Sequence, residues 1–241
     1  MILERLAEAE ADIRGLADVQ PALRVGSITT AAVSILPDAL TRFAGAHPEV
    51  QVTVSESDPR VSLARLRARE LDLAVVFEYD FVPLPEGERL ELEVLAEEPL
   101  RVVLPSDHPV ARQRAVHLLD LAEETWIKST PRSSCSPFTE RACRAAGFEP
   151  RVPFEFDDYQ AMQNLVAAGV GVAFAPDMGL TVLNPGVVAR PIAFAGPKRR
   201  VLAAYREGEG GRPPVAAMVE ALRAALAARE PLFPAAAAEA S

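Results

Sequence analysis

At 241 residues, 49% hydrophobic and 24% charged, the chain is long enough for one large or two smaller packed cores, and its composition excludes a mostly disordered protein. A formal charge of -9, from 34 Asp and Glu against 25 Lys and Arg, argues against a surface built to neutralise nucleic-acid phosphates, which needs clustered cations. Two cysteines are too few for a disulfide scaffold, Glu4, Glu8 and Glu10 stand where an export signal would be cationic and then apolar, and LVAAGVGVAFAP is too short to span a bilayer, so a cytoplasmic protein without membrane association is expected.

The opening MILERLAEAEADIRGLADVQ places Ile2, Leu6, Ala9, Ile13 and Leu16 at spacings of 4, 3, 4 and 3. That heptad seam needs a partner helix. After Pro21 the pattern turns extended. LRVGS (23–27) reads as a strand, and TTAAVSILPDALTRFAGAH as a helix with Thr29 or Thr30 placed to cap its start. Pro37 divides that helix, because proline fits a first turn but not an interior. VQVTVSES alternates with Val50, Val52 and Val54 on one face, as a strand does. RVSLARLRARE predicts a helix burying Val61, Leu63 or Ala64, and Leu66, and LDLAVVF a strand buried on both faces. Strand, helix, strand, helix, strand implies crossover units in an α/β lobe.

A loop carrying prolines, FVPLPEGERLE, leads to the long strand LEVLAEEPLRVVLP, and then the same grammar returns. TWIKS, RVPFEF and VGVAFAP read as strands, and SPFTERACRAAG and YQAMQNLVAAG as helices closed by Gly147 and Gly169. VVARPIAF and RRVLAAYRE are expected to return the chain to the first lobe, PPVAAMVEALRAALAA to form a last amphipathic helix, and the alanine-rich end to fray. The expected division is 1–20 as a helix fragment, 22–94 with 207–230 as lobe I, 95–206 as lobe II, and 231–241 as a tail.

No catalytic constellation is visible. His47 and His108 precede prolines and His117 stands alone, no spacing suits a metal, and no nucleophile elbow, phosphate loop or dinucleotide fingerprint occurs. No cofactor is expected. What remains are polar and aromatic residues at the carboxyl ends of strands, where open α/β sheets bind ligands. They are Ser27, Thr29, Thr30, Ser57, Phe77, Glu78 and Tyr79 in the first lobe. The second lobe supplies Lys128, Ser129, Thr130, Arg132, Asp157, Asp158 and Phe174 to Pro176. Hydroxyls before helix starts favour an anion, with Lys128 or Arg132 as counter-charge. Singly, these residues serve equally well as helix caps and solvated charges; as a set on two lobes they outline a cleft.

LRVGS...ILPDALTRFAGAHPEVQVTV, LRARELDLAVVF, EEPLRVVLPSDHPVA and DDYQAMQNLVAAGVGVAFAPD resemble, in order and spacing, the effector-binding domain of LysR-type transcriptional regulators, over residues 1 to about 228. The resemblance implies two Rossmann-like lobes of the type 2 periplasmic-binding-protein fold, joined by two crossover strands with a small-molecule effector between them. It implies an effector pocket at Ser27, Thr29, Thr30, Ser57 and Phe77 in one lobe, and at Lys128, Ser129, Thr130, Asp157 and Phe174 in the other. All of these stand at strand ends, as do Tyr79 and Pro176, which complete the candidate set. The opening helix matches the linker that pairs these regulators as homodimers or homotetramers. The family's winged helix-turn-helix would precede Met1, so DNA is expected to be read only through a part absent from this chain. In peroxide-sensing members two second-lobe cysteines form a redox switch. Cys143 keeps the spacing of one of them to NLVAAG, and Cys135 lies one position from the other. A buried packing role for Cys143 competes with that reading, and bridging the two would require local unfolding. A solute-binding protein and a small-acid enzyme share the fold. The first needs an export signal, and the second a general acid or base drawn from Asp157, Asp158, Glu78 or Lys128.

Overall fold

The computed structural model describes residues 21–85, 89–194, 196–230 and 233. The heptad seam Ile2, Leu6, Ala9, Ile13 and Leu16 lies outside the described residues, as does the tail apart from Phe233.

Strand β1 (Ala22–Ser27) runs parallel to β2 (Gln51–Glu56) on one side and β3 (Leu73–Tyr79) on the other. Helices α1 (Thr29–Ser34) and α2 (Leu36–Ala46) connect the first pair, and α3 (Pro59–Arg67) leads into β3. Pro37 divides the helix as its chemistry dictates: α1 stops at Ser34 and α2 restarts with the proline in its first turn, where no N–H is needed. The expected threonine cap is not made. Ile28 occupies the cap position, while the Thr29 hydroxyl donates to Glu56 and that of Thr30 accepts from Arg199. Asp58 caps α3 through the Arg60 N–H, 3.0 Å away. Leu63 and Leu66 are buried as expected, but Val61 is exposed because it faces away from the sheet. Val54 is also exposed, since β2 is an edge strand.

The second half holds β5 (Thr125–Lys128), α4 (Phe138–Ala145), β6 (Arg151–Glu155), α5 (Tyr159–Ala167) and β7 (Val172–Pro176). Gly147 and Gly169 follow the two helices at φ +99° and +73°, the left-handed region where a side chain would be strained. Gly171 is required by contact: a Cβ there would stand on the carbonyl oxygen of Thr125.

Two strands tie the halves together. The strand β4 (Leu90–Pro105) pairs with β9 (Lys198–Arg206) over Leu90–Pro99, then with β7 and β8 (Val187–Pro191) over Leu100–Pro105. The resulting order is β2-β1-β3-β9-β4-β7-β5-β6, with β8 on β4. The stretch VVARPIAF does not return the chain to the first half. Its strand β8 stays in the second, pairing with Arg101–Pro105, and Lys198–Arg206 alone makes the return. Helix α6 (Pro213–Ala228) then packs on α2.

Leu23, Val25, Leu73 and Val75 are fully buried beneath α1, α2 and α6, each contributing about 1.5–3 kcal/mol by leaving water. An aromatic row continues this core into the second half. Phe77, Tyr79, Phe138, Phe174 and Trp126 follow one another with ring centroids 5.3, 4.6, 5.2 and 4.5 Å apart.

Candidate functional site

Residues at or just beyond the carboxyl ends of β1, β2, β3, β5 and β6 line a shared cavity of about 290 Å³. Such ends are where open α/β sheets place ligands, because the chain leaves each strand there with free polar groups. Of the positions singled out in the sequence, Thr29, Thr30, Ser57 and Phe77 line it from the first half, and Ser129, Arg132 and Asp157 from the second.

The other positions lie around this lining. Ser27 is fully buried, and its hydroxyl donates to the Ile28 carbonyl at 3.1 Å. Tyr79 and Phe174 belong to the aromatic row, and Pro176 ends β7 opposite Leu100. Lys128 turns away to Glu140 and to Glu155, 3.6 Å off. The hydrogen bond to Glu140 leads the causes that raise its pKa, so it is a cation already engaged. Thr130 supports the wall: its hydroxyl and N–H donate to the Asp157 carboxylate at 2.6 and 3.0 Å. Asp158 caps α5 through the Ala161 N–H.

Arg199 went unrecognised in the sequence and is the most constrained residue of the site. It is 1% exposed, lines the cavity, and faces Glu98 across the β4–β9 ladder, with Nε donating to Oε1 at 2.6 Å. A terminal nitrogen donates to the Thr30 hydroxyl at 3.1 Å, and the other oxygen of Glu98 accepts the Met178 N–H at 2.8 Å. Burial opposes the charged guanidinium, but the Glu98 carboxylate outweighs it and the pKa is raised, so Arg199 stays a cation. A signal for it existed: strand alternation puts Arg199 on the face of Val201 and Ala203, both fully buried, whereas its neighbour Arg200 points outward to Glu78.

Asp58 was also missed. Beyond capping α3, its carboxylate accepts the Ser134 N–H at 2.7 Å and the Ser134 hydroxyl at 2.5 Å. It thereby joins the two halves beside the cavity. Arg141 adds a second bridge by donating to the Phe81 carbonyl at 2.6 Å. The remaining lining includes Glu56, Ser133, Cys135 and Tyr159.

The acids and bases of the wall are unequally committed. Glu56 accepts from Thr29, Asp58 from Ser134 and Arg60, and Asp157 from Thr130. Arg132 is exposed and, among the described residues, has no carboxylate within salt-bridge distance. Among the described residues, Arg132 is thus the lining cation left open to a ligand, whereas Arg199 is paired with Glu98. Both cysteines are free. Burial pushes the Cys135 thiol up, against hydrogen bonds from Ser133 and Tyr79, and pushes Cys143 up to about 12.

Two α/β halves joined by two strands and closing on a polar cavity define the two-lobed class of the type 2 periplasmic-binding-protein fold. The same fold is found in the BenM effector-binding domain with its effector benzoate, at a TM-score of 0.76 and 20% identity over 87% of this chain and 94% of that one. It recurs in the reduced form of OxyR, at a TM-score of 0.71 and 26% identity over 86% and 96% of the two chains. Residues 17–227 match the LysR substrate binding domain, and the chain belongs to that family, one of transcriptional regulators and not of enzymes. Among curated relatives, the small neutral protease regulatory protein of Streptomyces coelicolor is 36% identical over 77% of this chain and 57% of its own length. The transcriptional dual regulator GltC of Bacillus subtilis is 28% identical over 74% and 59%. The chain thus spans somewhat under three fifths of the length of each of these regulators. Among the described residues, no helix is long and apolar enough to cross a membrane.

Proposed function

We propose that this chain is the effector-sensing and pairing part of a LysR-type transcriptional regulator acting in the cytoplasm, and that a small anionic metabolite binds in the cavity between its two lobes. The observation that carries this reading is the meeting of Arg132, Arg199 and hydroxyls from both halves on one cavity whose carboxylates already accept protein donors. A ligand carboxylate can pair with Arg132 without displacing a protein acceptor, and a charge-assisted hydrogen bond of that kind is the stronger sort. Binding favours the lobe orientation in which both walls reach the ligand. The effector positions are Thr29, Thr30, Ser57, Phe77, Ser129, Arg132, Asp157 and Arg199. Pairing of two copies through Ile2, Leu6, Ala9, Ile13 and Leu16 would carry the change onward, with DNA read by a part outside these 241 residues.

The test is thermal unfolding against a panel of small carboxylates and amino acids. A ligand that binds only the folded state raises the midpoint with concentration. At least one carboxylate is expected to do so, and Arg132→Gln to weaken it about tenfold, as loss of a charge-assisted contact does.

A further inference from the structure

A second cavity, of about 700 Å³, lies at the far end of the first half. It is lined by Arg67, Arg69, Arg89, Arg206, Glu207 and Glu209. Arg206 pairs with Leu90 in the β4–β9 ladder, whereas Arg199 pairs with Glu98. At roughly 3.3 Å per strand residue, the two ends are about 23 Å apart, so this cavity is separate from the effector site.

Its charges divide into spent and unspent. Arg206 is buried and donates to the carbonyls of Leu66 in the last turn of α3 and of Leu71 beyond it, and to Asp72, while Glu209 is held by Arg212 at 2.8 Å. Arg67, Arg69 and Arg89 are exposed and, among the described residues, have no carboxylate within salt-bridge distance. Arg67, Arg69 and Arg89, without a carboxylate partner among the described residues, therefore face one cavity beside Glu207 and the Arg212-bonded Glu209, on a chain whose formal charge is -9. Two of the three also hold a backbone conformation that arginine does not favour: φ is +60° at Arg69 and +70° at Arg89. The Arg69 N–H bonds the Leu66 carbonyl just past the end of α3, where helices commonly place glycine. A glycine would satisfy the backbone better, so Arg69 carries its guanidinium there at some cost in strain.

We propose that this second cavity binds a small, multiply charged phosphate, of the class of inorganic pyrophosphate, through Arg67, Arg69 and Arg89. Several forked cations suit several phosphate oxygens, whereas a monocarboxylate engages one fork. The inference does not rest on the effector reading.

The test is calorimetric titration of the full chain with inorganic pyrophosphate at low and at raised salt. Binding with a Kd below about 1 mM is expected at low salt, weakening as salt screens the exposed charges. The triple variant Arg67→Gln/Arg69→Gln/Arg89→Gln should lose at least about tenfold in affinity, and Arg132→Gln in the effector cavity should lose none. Arg69→Gly guards against a folding artefact: its thermal midpoint should rise as backbone strain is relieved, while pyrophosphate binding falls. Absence of binding up to about 10 mM, equal binding by the triple variant, or unchanged binding by Arg69→Gly would overturn the proposal. So would capture of a DNA duplex through these arginines by a protein that ignores pyrophosphate.

Discussion

Arg199 and Glu98 stand opposite each other on the two strands that join the lobes, both nearly inaccessible, at 1% and 6% exposure. The pair lies between the Thr30 hydroxyl of the first half and the Met178 N–H of the second. A ligand touching Thr30 and Arg199 thus touches the join between the lobes. In water such a pair would contribute little; here its removal by halves leaves a buried charge alone.

Glu98→Gln should therefore destabilise the protein by about 3–5 kcal/mol, read as a lower urea midpoint. The double change Glu98→Leu/Arg199→Met should recover much of that loss, because no unpaired charge remains. A single variant as stable as the parent would mean that the guanidinium finds water or another partner.

Asp58 has two jobs that can be separated. Ser134→Ala removes the hydroxyl donated across the lobes and leaves the α3 cap intact, whereas Asp58→Ala removes both. Amide exchange should quicken at Arg60 and Ser134 in Asp58→Ala, with a loss of about 1–2 kcal/mol for the cap alone. In Ser134→Ala, exchange at Arg60 should stay slow.

Asp72 sets an acid limit on stability. Burial pushes its carboxyl up, but hydrogen bonds from the Arg24 side chain and backbone, with the charges of Arg24 and Arg212, outweigh this and hold the pKa at about 2. A folded value below the unfolded one of about 3.9 means stability that is present above pH 4 and lost as the pH falls through 2, on the order of 2 kcal/mol. Urea unfolding from pH 5 down to 2 should show the gap between the parent and Asp72→Asn closing across that window. A constant gap would contradict this.

The two thiols should be poor nucleophiles at neutral pH, since burial raises both and the thiolate is the reactive form. Cys143 should react with a thiol reagent only on unfolding, and titration before and after peroxide should find both thiols retained. Loss of both after mild peroxide would revive the redox reading of Cys135 and Cys143.

The fold was legible where one force dominated. Period-two alternation, proline at a helix start and glycine at helix ends placed β2, α2, α4 and α5 to within a few residues. Partner choice between strands was not legible: VVARP carries the pattern of a strand but nothing that names β4 as its neighbour. The candidate site divided in the same way. Thr29, Thr30 and Ser57 follow strands and were found by position. Lys128 looked like a free cation until α4 brought Glu140 to it, a contact across 12 residues that no local pattern encodes. Arg199 reaches Thr30 across 169 residues and becomes visible only once the return strand is placed.

The most direct measurement is calorimetric titration of the parent, Arg132→Gln and Thr30→Val with whichever small carboxylate raises the thermal midpoint. The inter-lobe account predicts one site per chain, saturable in the parent and weakened about tenfold or more in each variant, as loss of a hydrogen bond to a charged ligand does. Equal affinity in all three folded proteins, or no binding by any carboxylate or amino acid to the folded parent, would contradict it.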